Sequence, residues 1–159
     1  MAQEYYFKYP NDISALILCA TGARMRVSQF IFNSIKPDYQ KYLKYLPTAA
    51  FYRKTPKEII DNSILETSQI NPEVTYIDFK ICDAFDTMDK TSAINAPCLI
   101  ICGKADQLTP VNYSKFFHEI IRKSEICIIK KAGHSLMLEQ PRQVNKAIEN
   151  FINNNLRFN

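Results

Sequence analysis

Two ionisable residues stand where short apolar runs end. Cys98-Leu99-Ile100-Ile101-Cys102-Gly103 leads into Lys104-Ala105-Asp106, and a second run, Ile126 to Ile129, leads through a turn into Gly133-His134. Strand ends in parallel α/β sheets are where sites are built. A carboxylate beside an imidazole has a definite use there. A neutral histidine deprotonates a serine hydroxyl when a buried acid fixes its tautomer and stabilises the imidazolium that forms. Adjacent parallel strands lie about 4.8 Å apart, so their ends bring such a pair within hydrogen-bond reach. Asp106 and His134 are therefore the candidate catalytic residues.

The elements that would position them follow from the pattern of apolar runs and breakers. Met1 to Tyr9 reads as the end of a helix with Tyr5, Tyr6 and Tyr9 on one face, broken by Pro10-Asn11-Asp12. Ile13 to Ala20 is a near-continuous apolar run, which suggests a strand covered on both faces. From Arg24 to about Asp89 strand-like runs give way to amphipathic segments. Pro37 opens a helix through Tyr45, and Thr55-Pro56-Lys57-Glu58 reads as a capping box ahead of Ile59, Ile60, Ile64 and Leu65. Asn71-Pro72-Glu73 starts a further helix through Phe85. After Ala96-Pro97 the pattern becomes strand, helix from Thr109-Pro110, strand at Glu125 to Ile129, and a final helix from Pro141 with an Asn-rich tail expected to fray. Strands alternating with helices imply an α/β fold with a parallel sheet.

Composition narrows the function classes. A chain of 159 residues is about one domain. Its 20 Lys and Arg against 16 Asp and Glu are scattered, which argues against a nucleic-acid surface. Five cysteines without a CxxC pair make neither a disulfide nor a zinc framework, and Cys19, Cys98, Cys102 and Cys127 lie in apolar runs as small hydrophobes. The longest apolar run falls far short of the roughly 20 residues of a membrane span. A reducing, cytoplasmic setting is the expectation.

Ala96 to Asp106 with Leu108-Thr109-Pro110, followed by Lys131-Ala132-Gly133-His134-Ser135-Leu136-Met137-Leu138-Glu139-Gln140-Pro141, resembles the C-terminal third of an α/β-hydrolase. Asp83-Ala84-Phe85-Asp86 and Tyr9-Pro10 through Arg24 resemble the same pattern. The resemblance implies about three parallel strands with flanking helices and an inserted helical cap. Residues 1–23 would be the tail of the helix after the nucleophile and the first strand, 24–89 the cap, and 90–159 the core with the Asp and His loops. It also implies a Ser-Asp-His mechanism on a small ester or acyl substrate, with Asp106 as the acid and His134 as the base, and no metal or organic cofactor. The serine's G-x-S-x-G turn does not occur among only three glycines, so the nucleophile is expected upstream of Met1. Gly133-His134-Ser135 starts like that turn, but no second glycine follows Ser135. His118 and Glu139 read as structural residues, the latter favoured by the dipole of the final helix.

The expectation is thus a truncated hydrolase, inactive alone, whose strand at Ile13 to Ala20 forms an exposed sheet edge. That edge would pair with a second copy or with an N-terminal half. The alternative is a non-catalytic structural or binding fragment.

Overall fold

The computed structural model describes residues 2–156. Three parallel strands, β1 (Leu16–Cys19), β2 (Cys98–Gly103) and β3 (Ser124–Ile129), form one sheet in the order β1-β2-β3. Leu18, Ile100 and Ile126 stand in register across it.

The central strand shows why a continuous apolar run is needed. All of β2 is buried, and its side chains alternate between two cores, as the period of two requires. Cys98 and Ile100 join Tyr6, Leu18, Phe117 and Ile121 on one face, while Leu99 and Ile101 join Ile129, Leu136, Val144 and Phe151 on the other. The first face is covered by α1 (Ala2–Lys8) and by α6 (Val111–Ile120) with the Ile121 that follows it; the second is covered by α7 (Leu136–Glu139) and α8 (Pro141–Asn155).

Between β1 and β2 the chain makes a cap of four helices: α2 (Gln29–Ile35), α3 (Tyr39–Ala50), α4 (Lys57–Ser68) and α5 (Pro72–Ala84). Ile31, Ile35, Tyr42 and Leu43 form its own small core, with Ile64, Tyr76 and Phe79 packed against them. The two stems of the cap are tied together. Arg24 bridges to Asp86, Val27 N donates to Asp83 Oδ1 at 2.8 Å, and Thr87 N donates to Ala23 O at 2.6 Å.

Several local expectations are corrected. The first strand holds only four residues, and Ile17 is 37% exposed, so β1 is not covered on both faces. Of the three N-terminal tyrosines only Tyr6 is buried, held by Asn95 N donating to its hydroxyl at 2.9 Å, whereas Tyr5 and Tyr9 pack on each other in solvent. No capping box forms at Thr55: Pro56 is the N-cap of α4, with no side-chain cap bond. None of α4 is buried, and Leu65 is 60% exposed, because the cap core draws on α2, α3 and α5 with only Ile64 from α4. The final helix stays helical through Asn155, whose side chain donates to Glu125 Oε1 at 2.9 Å, while residues 157–159 of the tail expected to fray lie outside the described residues. Among the described residues no helix is long and apolar enough to cross a membrane.

Candidate active site

The loops leaving β2 and β3 are sewn to each other. Lys104 N donates to Ile129 O at 2.8 Å, and Ala105 N donates to Ala132 O at 2.9 Å. Their approach leaves no room for a side chain at Gly103, where a Cβ would lie 2.0 Å from Gly133 O. Lys131 takes a positive φ of 57° in the second loop. The backbone is thus bent so that the residues three beyond Gly103 and three beyond Lys131 face each other.

Those residues are Asp106 and His134. The Asp106 carboxylate is 6% exposed and has all its partners. Oδ1 accepts from Leu108 N at 2.8 Å and Thr109 N at 2.9 Å, and Oδ2 accepts from the Thr109 hydroxyl at 2.9 Å. His134 Nδ1 lies 3.0 Å from Oδ2. A carboxylate only accepts, so Nδ1 carries the proton and Nε2 presents a lone pair. Burial pushes the Asp106 carboxyl up, but the hydrogen bond and charge of His134, with the Thr109 amide and hydroxyl, outweigh it and hold the group below its ordinary value. Asp106 is therefore ionised at neutral pH. Thr109 Oγ1 also lies 3.3 Å from Nδ1, with its own proton directed to Asp106.

Thr109 was expected only to start α6. Instead Pro110 is the N-cap, without a side-chain cap bond, and the threonine hydroxyl serves the acid. An Asp three residues before a Thr in a loop is the local signal for this bond. His134 borders a cavity of about 290 Å³ roofed by the cap, with Tyr42, Tyr45, Leu46, Phe79 and Leu108 among its walls. Burial pushes the Tyr42 phenol up to about 12, with a further rise from Tyr39, so it stays neutral there.

The other flagged residues lie outside this pair. His118 is exposed and its Nδ1 lies 2.9 Å from Ser124 Oγ. Ser135 sits in the turn after the histidine, its amide donating to Ala50 O at 2.9 Å. Glu139 ends α7 and accepts no bond from the first amides of α8. Its partners are Tyr52 N, Gly133 N and the Thr55 hydroxyl, so it is a structural carboxylate whose bonds go to the cap and to the turn before His134. Among the described residues no group of three or more His, Cys, Asp or Glu side chains is placed to hold a metal ion.

Known proteins share this architecture. A family model described as serine aminopeptidase, S33, matches residues 1–141. The chain belongs to the α/β-hydrolases. This hydrolase chain is 27% identical over 143 residues to a monoacylglycerol lipase of Mus musculus, covering 90% of the chain and 35% of that protein. It is 26% identical over 135 residues to an AB hydrolase superfamily protein of Bacillus subtilis, covering 83% of the chain and 49% of that protein. Among solved structures, a thermophilic esterase superposes with a TM-score of 0.88 at 34% identity, over 96% of the chain and 61% of that structure. An esterase from Exiguobacterium antarcticum superposes with a TM-score of 0.87 at 18% identity, over 96% of the chain and 62% of that structure, a likeness of fold. The hydrolase chain therefore spans between about one third and two thirds of the length of these relatives.

Proposed function

We propose that this chain supplies the acid and the base of a Ser-Asp-His hydrolase acting on a small ester or related acyl substrate. The observation that carries the reading is the contact of His134 Nδ1 with the buried Asp106 at 3.0 Å, at the rim of a cavity beneath the cap. In this chemistry Nε2 of His134 takes the proton of a serine as it attacks the acyl carbon, and then returns it to the leaving alcohol. Asp106 stabilises the imidazolium between those steps. The cavity of about 290 Å³ is this chain's side of the site, walled by Tyr42, Tyr45, Leu46, Phe79 and Leu108 beside His134. The reading involves no metal or organic cofactor.

The serine belongs to a strand outside the described residues, and the open edge of β1 is where that strand would pair. Either an N-terminal half or a second copy of the chain satisfies the edge. The esterase and lipase names of the similar proteins favour the first, because a hydrolase needs the strand that carries its nucleophile.

The test compares the chain with a His134→Ala variant on short p-nitrophenyl esters, alone and after fusion to the serine-bearing part of the thermophilic esterase. Alone, the two should hydrolyse at equal, background rates. In the fusion, hydrolysis should appear and should fall about 10²- to 10⁴-fold with the alanine, the usual contribution of a general base. Equal rates in an active fusion would overturn the assignment. The second reading, a non-catalytic binding unit, is favoured by the outer edge of β1, which pairs with no strand among the described residues. It holds if a well-folded fusion stays inactive while the β1 edge still pairs.

A further inference from the structure

We propose that Glu139 is a positioning residue, whose carboxylate locks the loop between α3 and α4 of the cap onto the turn that presents His134. The inference rests on the reading of His134 as the base. Glu139 is 9% exposed, and both its oxygens are taken. Oε1 accepts from Tyr52 N at 2.6 Å and from the Thr55 hydroxyl, and Oε2 accepts from Gly133 N at 2.6 Å. One oxygen therefore holds the segment after α3, and the other holds the residue next to His134. Tyr52 is 87 positions away from Glu139 in the chain, so nothing but the fold brings them together.

Three further features make this a junction and not a chance contact. Ser135 N donates to Ala50 O at 2.9 Å on the far side of His134, so the histidine stands between a bond to Glu139 on one side and a bond to the end of α3 on the other. A Cβ on Gly133 would lie 2.8 Å from the Phe51 carbonyl carbon and 2.9 Å from Tyr52 N, which shows how closely the two backbones meet. Both amide bonds to the carboxylate are short, at 2.6 Å. Moving the Gly133 turn moves the imidazole relative to Asp106. Small misplacements of catalytic groups are costly, about 10²-fold in rate for 1 Å.

Glutamine separates charge and geometry from shape. It keeps the size of the side chain but replaces one acceptor by an NH₂ that confronts an amide donor. The experiment records the ring nitrogens of the chain's two histidines by ¹⁵N NMR, with His118 as the reference in the same tube, alongside amide exchange at Tyr52 and Gly133. In the native chain His134 should show a protected Nδ1 proton. In Glu139→Gln and Glu139→Ala that signal should weaken or split, the two amides should exchange about tenfold faster or more, and His118 should not change. Should Glu139→Ala fail to fold, Thr55→Val removes one donor only and should speed exchange at Tyr52 more than at Gly133. An unchanged His134 signal in folded Glu139→Gln would overturn the proposal. Unprotected Tyr52 and Gly133 amides in the native chain would overturn it too, leaving the acid–base pair intact. Absence of the Nδ1 proton from the native chain would instead remove the pair, and the proposal with it.

Discussion

Two Thr-Pro dipeptides, at Thr55 and Thr109, would each be read locally as the start of a helix. In both, proline itself becomes the N-cap, and the threonine hydroxyl donates to a buried carboxylate, Glu139 in one case and Asp106 in the other. Asp106→Asn therefore does more than remove a charge. An amide cannot accept from Thr109 and His134 on a nitrogen, so the imidazole should lose its fixed tautomer while the fold survives, visible in the ¹⁵N spectrum as a mixture of Nδ1–H and Nε2–H forms. Acid stability gives a second check on the same residue. The lowered value of Asp106 means that its contribution is complete above the unfolded value of about 3.9 and is lost as pH falls through the folded value. Urea midpoints should accordingly drop more steeply below about pH 4 in the native chain than in Asp106→Asn. At this scale the sequence is half legible. Asp106 and His134 stand out because each follows an apolar run and because both motifs resemble a known family. The partners of Glu139 do not, because hydrogen bonds across 84 and 87 positions leave no local pattern.

The strands and helices around the site are most legible where burial is two-sided. The apolar run of β2, buried along its whole length, and the one-faced patterns of α6 and α8, which pack against the sheet, agree with what forms; β3 also forms, though only Ile129 of it is buried. The cap is less so. A helix such as α4, with one partly buried isoleucine on the cap core, carries an apolar side that solvent can see, and its pattern resembles that of a core helix. Two substitutions test where the stability lies. Phe117, fully buried between α6 and the sheet, should cost about 3–5 kcal/mol when changed to alanine, measured by urea denaturation. Gly103→Ala puts a methyl into the backbone of the β3 loop and should cost about 3 kcal/mol, with weakening of the Asp106–His134 contact. The corresponding change in exposed α4, Leu65→Ala, should fall within about 0.5 kcal/mol of the native value.

For the molecule as a whole, the sheet has two edge strands among the described residues, β1 and β3, each paired only to β2, and β1 is the shorter, with Ile17 exposed. Open apolar edges are templates for further pairing. The isolated chain should therefore associate through β1, and Ile17→Lys should return it to a monomer in sedimentation velocity. A monomeric native chain whose β1 amides are nevertheless protected from exchange would contradict that. The same edge is the proposed seat of the strand that carries the serine, which links the association of the molecule to its chemistry. The most direct measurement is the rate at which a fluorophosphonate labels the serine of the fused, serine-bearing half, with His134 intact and with His134→Ala. A serine activated by this chain should label about 10²- to 10⁴-fold more slowly once the imidazole is gone. Equal labelling rates in the two folded proteins would contradict the claim that His134, held by Asp106, is the base.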